Sequence, residues 1–328
     1  MPLLEVEGMR TRFSTDRGVT LAVDEVSFSL EPGEILGLVG ESGSGKSMTA
    51  MSIMGLVPHP QGEVTARRLR FDGQDLLGLP ARAMRRLRGS RMAMVFQDPM
   101  RSLNPVLTVG WQLTEVLRRH RRLDRAAARR RAIELLEMVG IPNAEKRLAA
   151  FPHQFSGGMR QRVMIAIALS CEPQLLIADE ATTALDVTVQ AQIVDLVRRL
   201  TQEAGTAVIW ISHDLGLVAG LCDRVNVMYA GRVVESGGVE DVFFRPSHGY
   251  TLGLMGSTPR IDRGTGRLTP IEGLPPQTSK PPTLCPFLPR CRVAVPACEN
   301  LMPAFAERQT GHAAACQADL RRFWSSAA

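Results

Sequence analysis

Lysine is almost absent from this chain of 328 residues: of 39 lysines and arginines, only Lys46, Lys146 and Lys280 are lysine. Arginine therefore carries nearly all of the formal charge of +6. Aromatic residues are scarce as well, at 5%. Arginines cluster between residues 82 and 91 and again at Arg118, Arg119, Arg121, Arg122, Arg125, Arg129, Arg130 and Arg131. No aromatics interleave them as a base-stacking platform requires, so solvated helix faces are expected there rather than a nucleic-acid or anionic membrane surface. Long hydrophobic runs are missing. The longest, Val163-Met164-Ile165-Ala166-Ile167-Ala168-Leu169, is too short to span a bilayer. The first residues, Met1-Pro2-Leu3-Leu4, offer neither a basic n-region nor an apolar h-region, and the chain is expected to stay on the cytosolic side. What is present is a hydrophobic content of 45%, enough for one large α/β domain with an appendage or for two domains.

One of the three lysines stands in Gly40-Glu41-Ser42-Gly43-Ser44-Gly45-Lys46-Ser47. An apolar segment precedes this run and a helical one, beginning at Met48, follows it. In such a strand–loop–helix setting the glycines let backbone N–H groups close around a polyphosphate. Lys46 then reaches the terminal phosphates, and the Ser47 hydroxyl can hold Mg²⁺. A nucleoside triphosphate is the expected ligand.

Residues 3 to 13 and 19 to 30 alternate apolar with polar and predict an antiparallel pair ahead of a buried strand at 34 to 39. A short edge strand at 69 to 73 and a buried one at 91 to 97 follow. From residue 98 the pattern turns helical, with segments near 108–120, 124–139 and 157–169, read as an inserted subdomain over 98–170. The apolar strand at 175–180, an amphipathic helix at 187–203 and a strand at 207–213 return the chain to α/β. A hairpin is expected around Tyr229-Ala230-Gly231-Arg232. The alternation predicts a mainly parallel sheet with ligands at the carboxyl ends of its strands. After residue 257, proline, glycine and cysteine predominate and little regular structure is expected. The domain reading is thus 1–256 followed by a tail, 257–328.

The strand ending in Asp179-Glu180 offers an Asp to hold Mg²⁺ and a Glu to orient and deprotonate the attacking water. His213 ends the next parallel strand and can donate to a γ-phosphate, and the amide of Gln97 can reach Mg²⁺ or the water. Phe155-Ser156-Gly157-Gly158-Met159-Arg160-Gln161-Arg162 opens a helix with Ser156 as N-cap and glycine N–H groups free to meet an anion.

Taken with Thr183-Ala184-Leu185-Asp186, this set resembles the ATP-binding cassette family of ATPases in motif order over the first 245 residues or so. The resemblance implies a P-loop ABC-type α/β domain with an antiparallel β layer and an inserted helical subdomain. It also implies a dimer that sandwiches two ATPs. Each site would combine Gly40 to Ser47, Met48, Gln97, Asp179, Glu180 and His213 of one subunit with Ser156, Gly157 and Gly158 of its neighbour, and Asp186 would lie in the loop crossing the interface. Two positions depart from the family's pattern. Arg17 aligns where an aromatic usually stacks on adenine, a task a guanidinium plane can perform, with Phe13 the nearest aromatic. Ala181 replaces an expected proline, which loosens the turn.

Gln97-Asp98-Pro99-Met100-Arg101-Ser102-Leu103-Asn104-Pro105-Val106-Leu107-Thr108-Val109-Gly110 looks like the segment that marks the dipeptide, oligopeptide and nickel importer branch. The likeness extends to Arg245-Pro246-Ser247-His248-Gly249-Tyr250-Thr251 and to Cys285-Pro286-Phe287-Leu288-Pro289-Arg290-Cys291 in the tail. In that branch the ATPase sits on the cytoplasmic face of the membrane against two permease subunits. A second, related ATPase usually completes the dimer, and an extracytoplasmic binding protein delivers the peptide. Leu103, Pro105 and Val106 are candidate apolar contacts for the permeases. Nickel or another small solute is the neighbouring reading. A soluble cassette acting on nucleic acid or ribosomes, or an iron–sulfur sensor switched by ATP, are the readings from other classes.

Cys285, Cys291, Cys298 and Cys316 are separated by five, six and seventeen residues. In a reducing cytosol such a group more often binds metal than forms disulfides. No short Cys-x₂₋₄-Cys pair occurs, so a [4Fe–4S] cluster fits better than zinc, with free thiols the remaining alternative. The branch's tail implies the same cluster. Cys171 and Cys222 read as buried small hydrophobes, and His312 as a spare ligand more simply taken as a surface residue.

Overall fold

In the computed structural model, the alternation near the N-terminus becomes β1 (Leu4–Thr15) and β2 (Gly18–Leu30), antiparallel from Leu4 opposite Leu30 to Thr15 opposite Gly18. Leu4, Met9, Val23, Val26 and Leu30 are wholly buried, so one face of the pair is core. The structure describes residues 1–16, 18–98, 102–182, 187–257, 269–276 and 278–324. Arg17, Pro99, Met100, Arg101, Thr183, Ala184, Leu185 and Asp186 lie outside the described residues. The chain divides into two compact units. One comprises Glu31–Ile35 and Gly78–Ile211 with Met1; the other comprises Pro2–Leu30, Leu36–Leu77 and Ser212–Ala328.

In the second unit β1 also pairs antiparallel with β4 (Gly62–Thr65) and β5 (Arg68–Phe71), and β5 with β6 (Gln74–Asp75). A further sheet contains β3 (Ile35–Val39), all but its first residue in this unit, parallel to β10 (Arg224–Tyr229). The expected hairpin joins β10 to β11 (Arg232–Gly238). The tail adds strands that the sequence reading did not anticipate. β12 (Ala306–Gln309) and β13 (His312–Ala314) form a hairpin, and β13 extends the sheet by pairing with β11, Ala314 opposite Glu235. Helices α1 (Lys46–Ile53), α8 (Leu215–Leu221), α9 (Val239–Phe244) and α10 (Gly249–Ser257) belong here too.

The first unit is built on β7 (Met92–Val95), β8 (Leu175–Asp179) and β9 (Ala207–Ile211), all parallel, with β8 in the middle. Every residue of β8 is buried, as a parallel strand covered on both faces requires, which is why it reads as an uninterrupted apolar run. Around it stand α2 (Ala81–Leu87), α3 (Val109–His120), α4 (Arg125–Met138), α5 (Ala144–Arg147), α6 (Gly157–Leu169) and α7 (Val187–Ala204). Side-chain caps fix several starts. Thr108 Oγ1 accepts from Trp111 N–H and Asp124 Oδ1 from Ala127 N–H, each satisfying an orphan donor worth about 1 kcal/mol. The arginines of α3, its C-cap and α4 are solvated and partly paired: Arg119 with Glu115, Arg121 and Arg131 with Glu172, and Arg129 with Glu145. Leu103 is buried while Val106 is 76% exposed, so of the proposed apolar contacts Leu103 serves internal packing instead.

Candidate functional site

The phosphate loop leaves β3 at Val39 and enters α1 at Lys46. Gly40 has φ of 150°, and a Cβ there would lie 2.2 Å from the Met228 carbonyl oxygen, so no other residue fits. Gly45, at φ 101°, caps α1 in the left-handed region. The turn between β10 and β11 supports the loop from beneath, with Gly231 N–H donating to Ser44 O at 2.9 Å. Lys46 is buried, and its Nζ donates to Gly40 O at 2.8 Å, Glu41 O at 2.9 Å and Ser44 Oγ at 3.4 Å. The ammonium is thus held at the centre of the loop beside the N-terminus of α1, whose N–H groups favour an anion. Ser47 is exposed, Met48 half-buried, and Ser42 and Gly43 exposed. His213, in the same unit, is exposed; its neighbour Ser212 N–H donates to Leu38 O in β3 at 3.4 Å, and Asp214 caps α8.

In the first unit Asp179 is the last residue of β8, buried opposite Ile211 of β9. Glu180 turns out of the strand with φ of 49°, a left-handed conformation that costs a non-glycine residue about 1 kcal/mol. Its N–H donates to Ile211 O at 3.0 Å, and its carboxylate accepts from Gln97 Nε2 at 2.7 Å. Two residues expected to share the hydrolytic chemistry are therefore in direct contact. Ser156 caps α6, its Oγ accepting from Met159 N–H at 3.3 Å. A Cβ on Gly157 would meet nothing within 4 Å, so internal packing does not account for that glycine.

A family description, ABC transporter, matches residues 23–183, and a second, the oligopeptide/dipeptide transporter C-terminal region, matches residues 234–298. The dipeptide transport ATP-binding protein DppD of Bacillus subtilis is 49% identical over 314 residues, covering 96% of this chain and 94% of its own. This chain belongs to the ATP-binding cassette transporter family. The oligopeptide transport ATP-binding protein OppD of Haemophilus influenzae is 50% identical over 298 residues, with 91% and 92% covered. Among solved structures, a dimeric post-hydrolysis ATP-binding cassette bound to ADP and Pi superimposes with a TM-score of 0.65 at 27% identity, covering 72% of this chain and 98% of that one. The fold is accordingly that of the P-loop cassette ATPase.

The cassette's second unit also contains a small cavity lined by His248, Cys285, Phe287, Cys291, Cys298 and Cys316. Four thiols scattered over the tail thus face one space. Among the described residues no three His, Cys, Asp or Glu side chains stand close enough to hold a single metal ion. Burial pushes the Cys285 thiol up to about 11, with the neighbouring thiols adding to it, and burial also raises Cys291. His248 Nδ1 accepts from Tyr250 N–H at 3.0 Å, so its proton is on Nε2, which faces Cys285 Sγ at 3.7 Å. Burial holds that imidazole neutral, down to about 4.

His312 is not the surface residue expected. It is completely buried, and its Nε2–H donates to the equally buried Glu235 carboxylate at 2.7 Å. Glu235 also accepts from Ser247 N–H at 2.7 Å and His248 N–H at 2.9 Å. One carboxylate therefore ties the tail hairpin to the segment that flanks the thiol cavity. Cys171 and Cys222 are buried as expected, and burial raises both thiols.

Proposed function

We propose that this cassette is the ATP-hydrolysing subunit of a dipeptide or oligopeptide importer. The observation that carries the hydrolytic part is Glu180 held in a strained turn, its carboxylate oriented by Gln97. In this reading the N–H groups of Gly40 to Gly45 and the Lys46 ammonium bind the β- and γ-phosphates. Ser47, Gln97 and Asp179 would hold Mg²⁺, which would neutralise phosphate charge. Arg17 stacks on adenine, Met48 follows the loop, and His213 donates to the γ-phosphate. Glu180 takes a proton from water as the water oxygen bonds to the γ-phosphorus, and the bond to the bridging oxygen breaks to release ADP. Ser156, Gly157 and Gly158 serve the nucleotide of a neighbouring ATPase subunit, for which the open space at Gly157 is the support.

The match to the oligopeptide/dipeptide transporter C-terminal region and the names of the curated relatives support peptide as cargo. The partners proposed are two permeases, a related ATPase as the other half of a heterodimer, and an extracytoplasmic binding protein. The cassette then lies at the cytoplasmic face of the membrane, and no described helix is long and apolar enough to cross it. The exposed Val106 is a candidate permease contact. Residues 1–256 make the ATP-binding region, with 98–170 its helical insertion, and 257–328 the tail. Cys285, Cys291, Cys298 and Cys316 are proposed to hold a [4Fe–4S] cluster, for which their lining of one shared cavity is the support.

Purifying the tagged chain from detergent-solubilised membranes tests the transport reading. Multi-span permeases should follow it, whereas ribosomes or nucleic acid in their place would overturn it. Anaerobically prepared protein should show the broad brown absorbance of a cluster, lost in Cys291→Ser; colourless protein free of iron would sink that assignment.

A further inference from the structure

Glu41, the second residue of the phosphate loop, is gripped from outside the loop by both its backbone and its side chain. Its N–H donates to the Tyr250 hydroxyl at 2.7 Å. Its carboxylate receives a bidentate Arg290 guanidinium, Nη1 to Oε2 at 2.7 Å and Nη2 to Oε1 at 3.1 Å. The grip reaches the phosphate-binding lysine directly, because the Glu41 carbonyl accepts from Lys46 Nζ at 2.9 Å.

Arg290 has no freedom to do anything else. Its side chain is 7% exposed. Nε donates to Glu272 O at 2.9 Å, Nη2 to Gly273 O at 3.1 Å, and Nη1 to the Tyr229 hydroxyl at 3.2 Å. The guanidinium also lies near the rings of Tyr229 and Phe287, 5.8 and 6.0 Å from their centroids. Tyr229, Tyr250 and Phe287 pack on one another with centroids 4.6 to 5.3 Å apart, so the socket is rigid. Tyr229 and Tyr250 are the chain's only tyrosines.

The other end of this assembly is the thiol cavity. Arg290 immediately precedes Cys291, and the backbone from Cys285 to Cys291 is closed by three turn bonds: Leu288 N–H to Cys285 O at 3.0 Å, Arg290 N–H to Phe287 O at 2.9 Å and Cys291 N–H to Leu288 O at 3.1 Å. A displacement of either thiol must carry Arg290 with it. An uncompensated carboxylate at Glu41 would in turn repel incoming phosphates and compete for Lys46.

We propose that Arg290 is a positioning residue for the nucleotide, and that through its pairing with Glu41 the segment bearing Cys285 and Cys291 and the nucleotide affinity of the phosphate loop are coupled. The proposal rests on Gly40 to Ser47 being the nucleotide loop and not on what the thiols hold. Coupling of this kind is reciprocal, so nucleotide must also steady the tail segment.

The test is equilibrium titration of the full chain with a fluorescent ATP analogue and Mg²⁺, together with amide hydrogen exchange over residues 285–291. Arg290→Ala should weaken binding about ten-fold, and Arg290→Lys by less, since it keeps the charge and loses the fork. Glu41→Gln in the Arg290→Ala background should restore most of the affinity, a rescue that a general packing defect would not give. Nucleotide should slow exchange over 285–291 in the wild type and not in Arg290→Ala. Unchanged affinity in both Arg290 variants, or a loss that Glu41→Gln leaves in place, overturns the coupling. Wild-type protein that binds no nucleotide overturns the reading of the loop itself, and the coupling with it.

Discussion

The phosphate loop and the thiol cavity are built on opposite plans. The loop is eight contiguous residues whose working groups are mostly backbone N–H, and its glycines are fixed by φ and by the closeness of Met228 O. The cavity is four side chains drawn from a stretch of 32 residues, from Cys285 to Cys316, with little regular structure between them. A backbone site tolerates no change in conformation but is written in one place. A side-chain site depends on everything that holds its segments together, and here that includes Glu235 and Arg290, neither of which lines the cavity.

The largest expected effect lies outside both, at the strand end. Glu180→Gln should lower kcat about 10³-fold while ATP still binds, because general-base catalysis contributes a factor of that order. A variant that turns over at the normal rate would remove Glu180 from its role. Next, Glu235→Ala should cost the second unit about 3 kcal/mol in urea unfolding, since three donors, one from a buried histidine, lose their acceptor. An unfolding midpoint equal to the wild type would show that the tail does not depend on this carboxylate. Gly40→Ala should weaken nucleotide binding on the order of 100-fold, since its Cβ would collide with backbone at 2.2 Å. Retained affinity would mean the loop is softer than its contacts imply, and the contrast with the cavity would shrink. The smallest effect is Gly157→Ala. With nothing within 4 Å of the added carbon, stability should change by less than about 0.5 kcal/mol, while ATP-dependent dimerisation followed by light scattering should fall. Unaltered dimerisation would break the reading of that glycine as a place where a neighbour's nucleotide approaches.

The same contrast governs what could be read from sequence. The loop, the Asp179-Glu180 strand end and the Ser156 cap are each local, so their residue types and spacing are visible without a fold. The helices at 109–120, 125–138 and 157–169 and the strands β1, β2, β3, β5, β7, β8 and β9 follow apolar periodicity and appear within a residue or two of their expected bounds, whereas the short β4 and β6 had no counterpart in the expected pattern. His312 was legible only as a histidine between Gly311 and Ala313. Its partner Glu235 is 77 residues away and the burial of both depends on β13 joining the sheet. That strand is three residues long and rich in alanine, too short for a period-2 pattern to stand out. Arg290 sits in a segment whose cysteines draw the attention, and nothing local pairs it with Glu41, 249 residues earlier. Leu103 and Val106 share one apolar segment, and only packing separates the inward residue from the outward one.

The placement of β13 alongside β11 has a consequence for the chain's solution behaviour. β11 would otherwise present a row of open N–H and C=O groups at the margin of its sheet, the kind of surface that recruits a strand from another molecule. The tail hairpin closes that margin, leaving the short and polar β12 outermost. Cutting the chain after residue 304 should therefore do more than delete a cysteine: light scattering should show edge-to-edge self-association beyond that of the full chain.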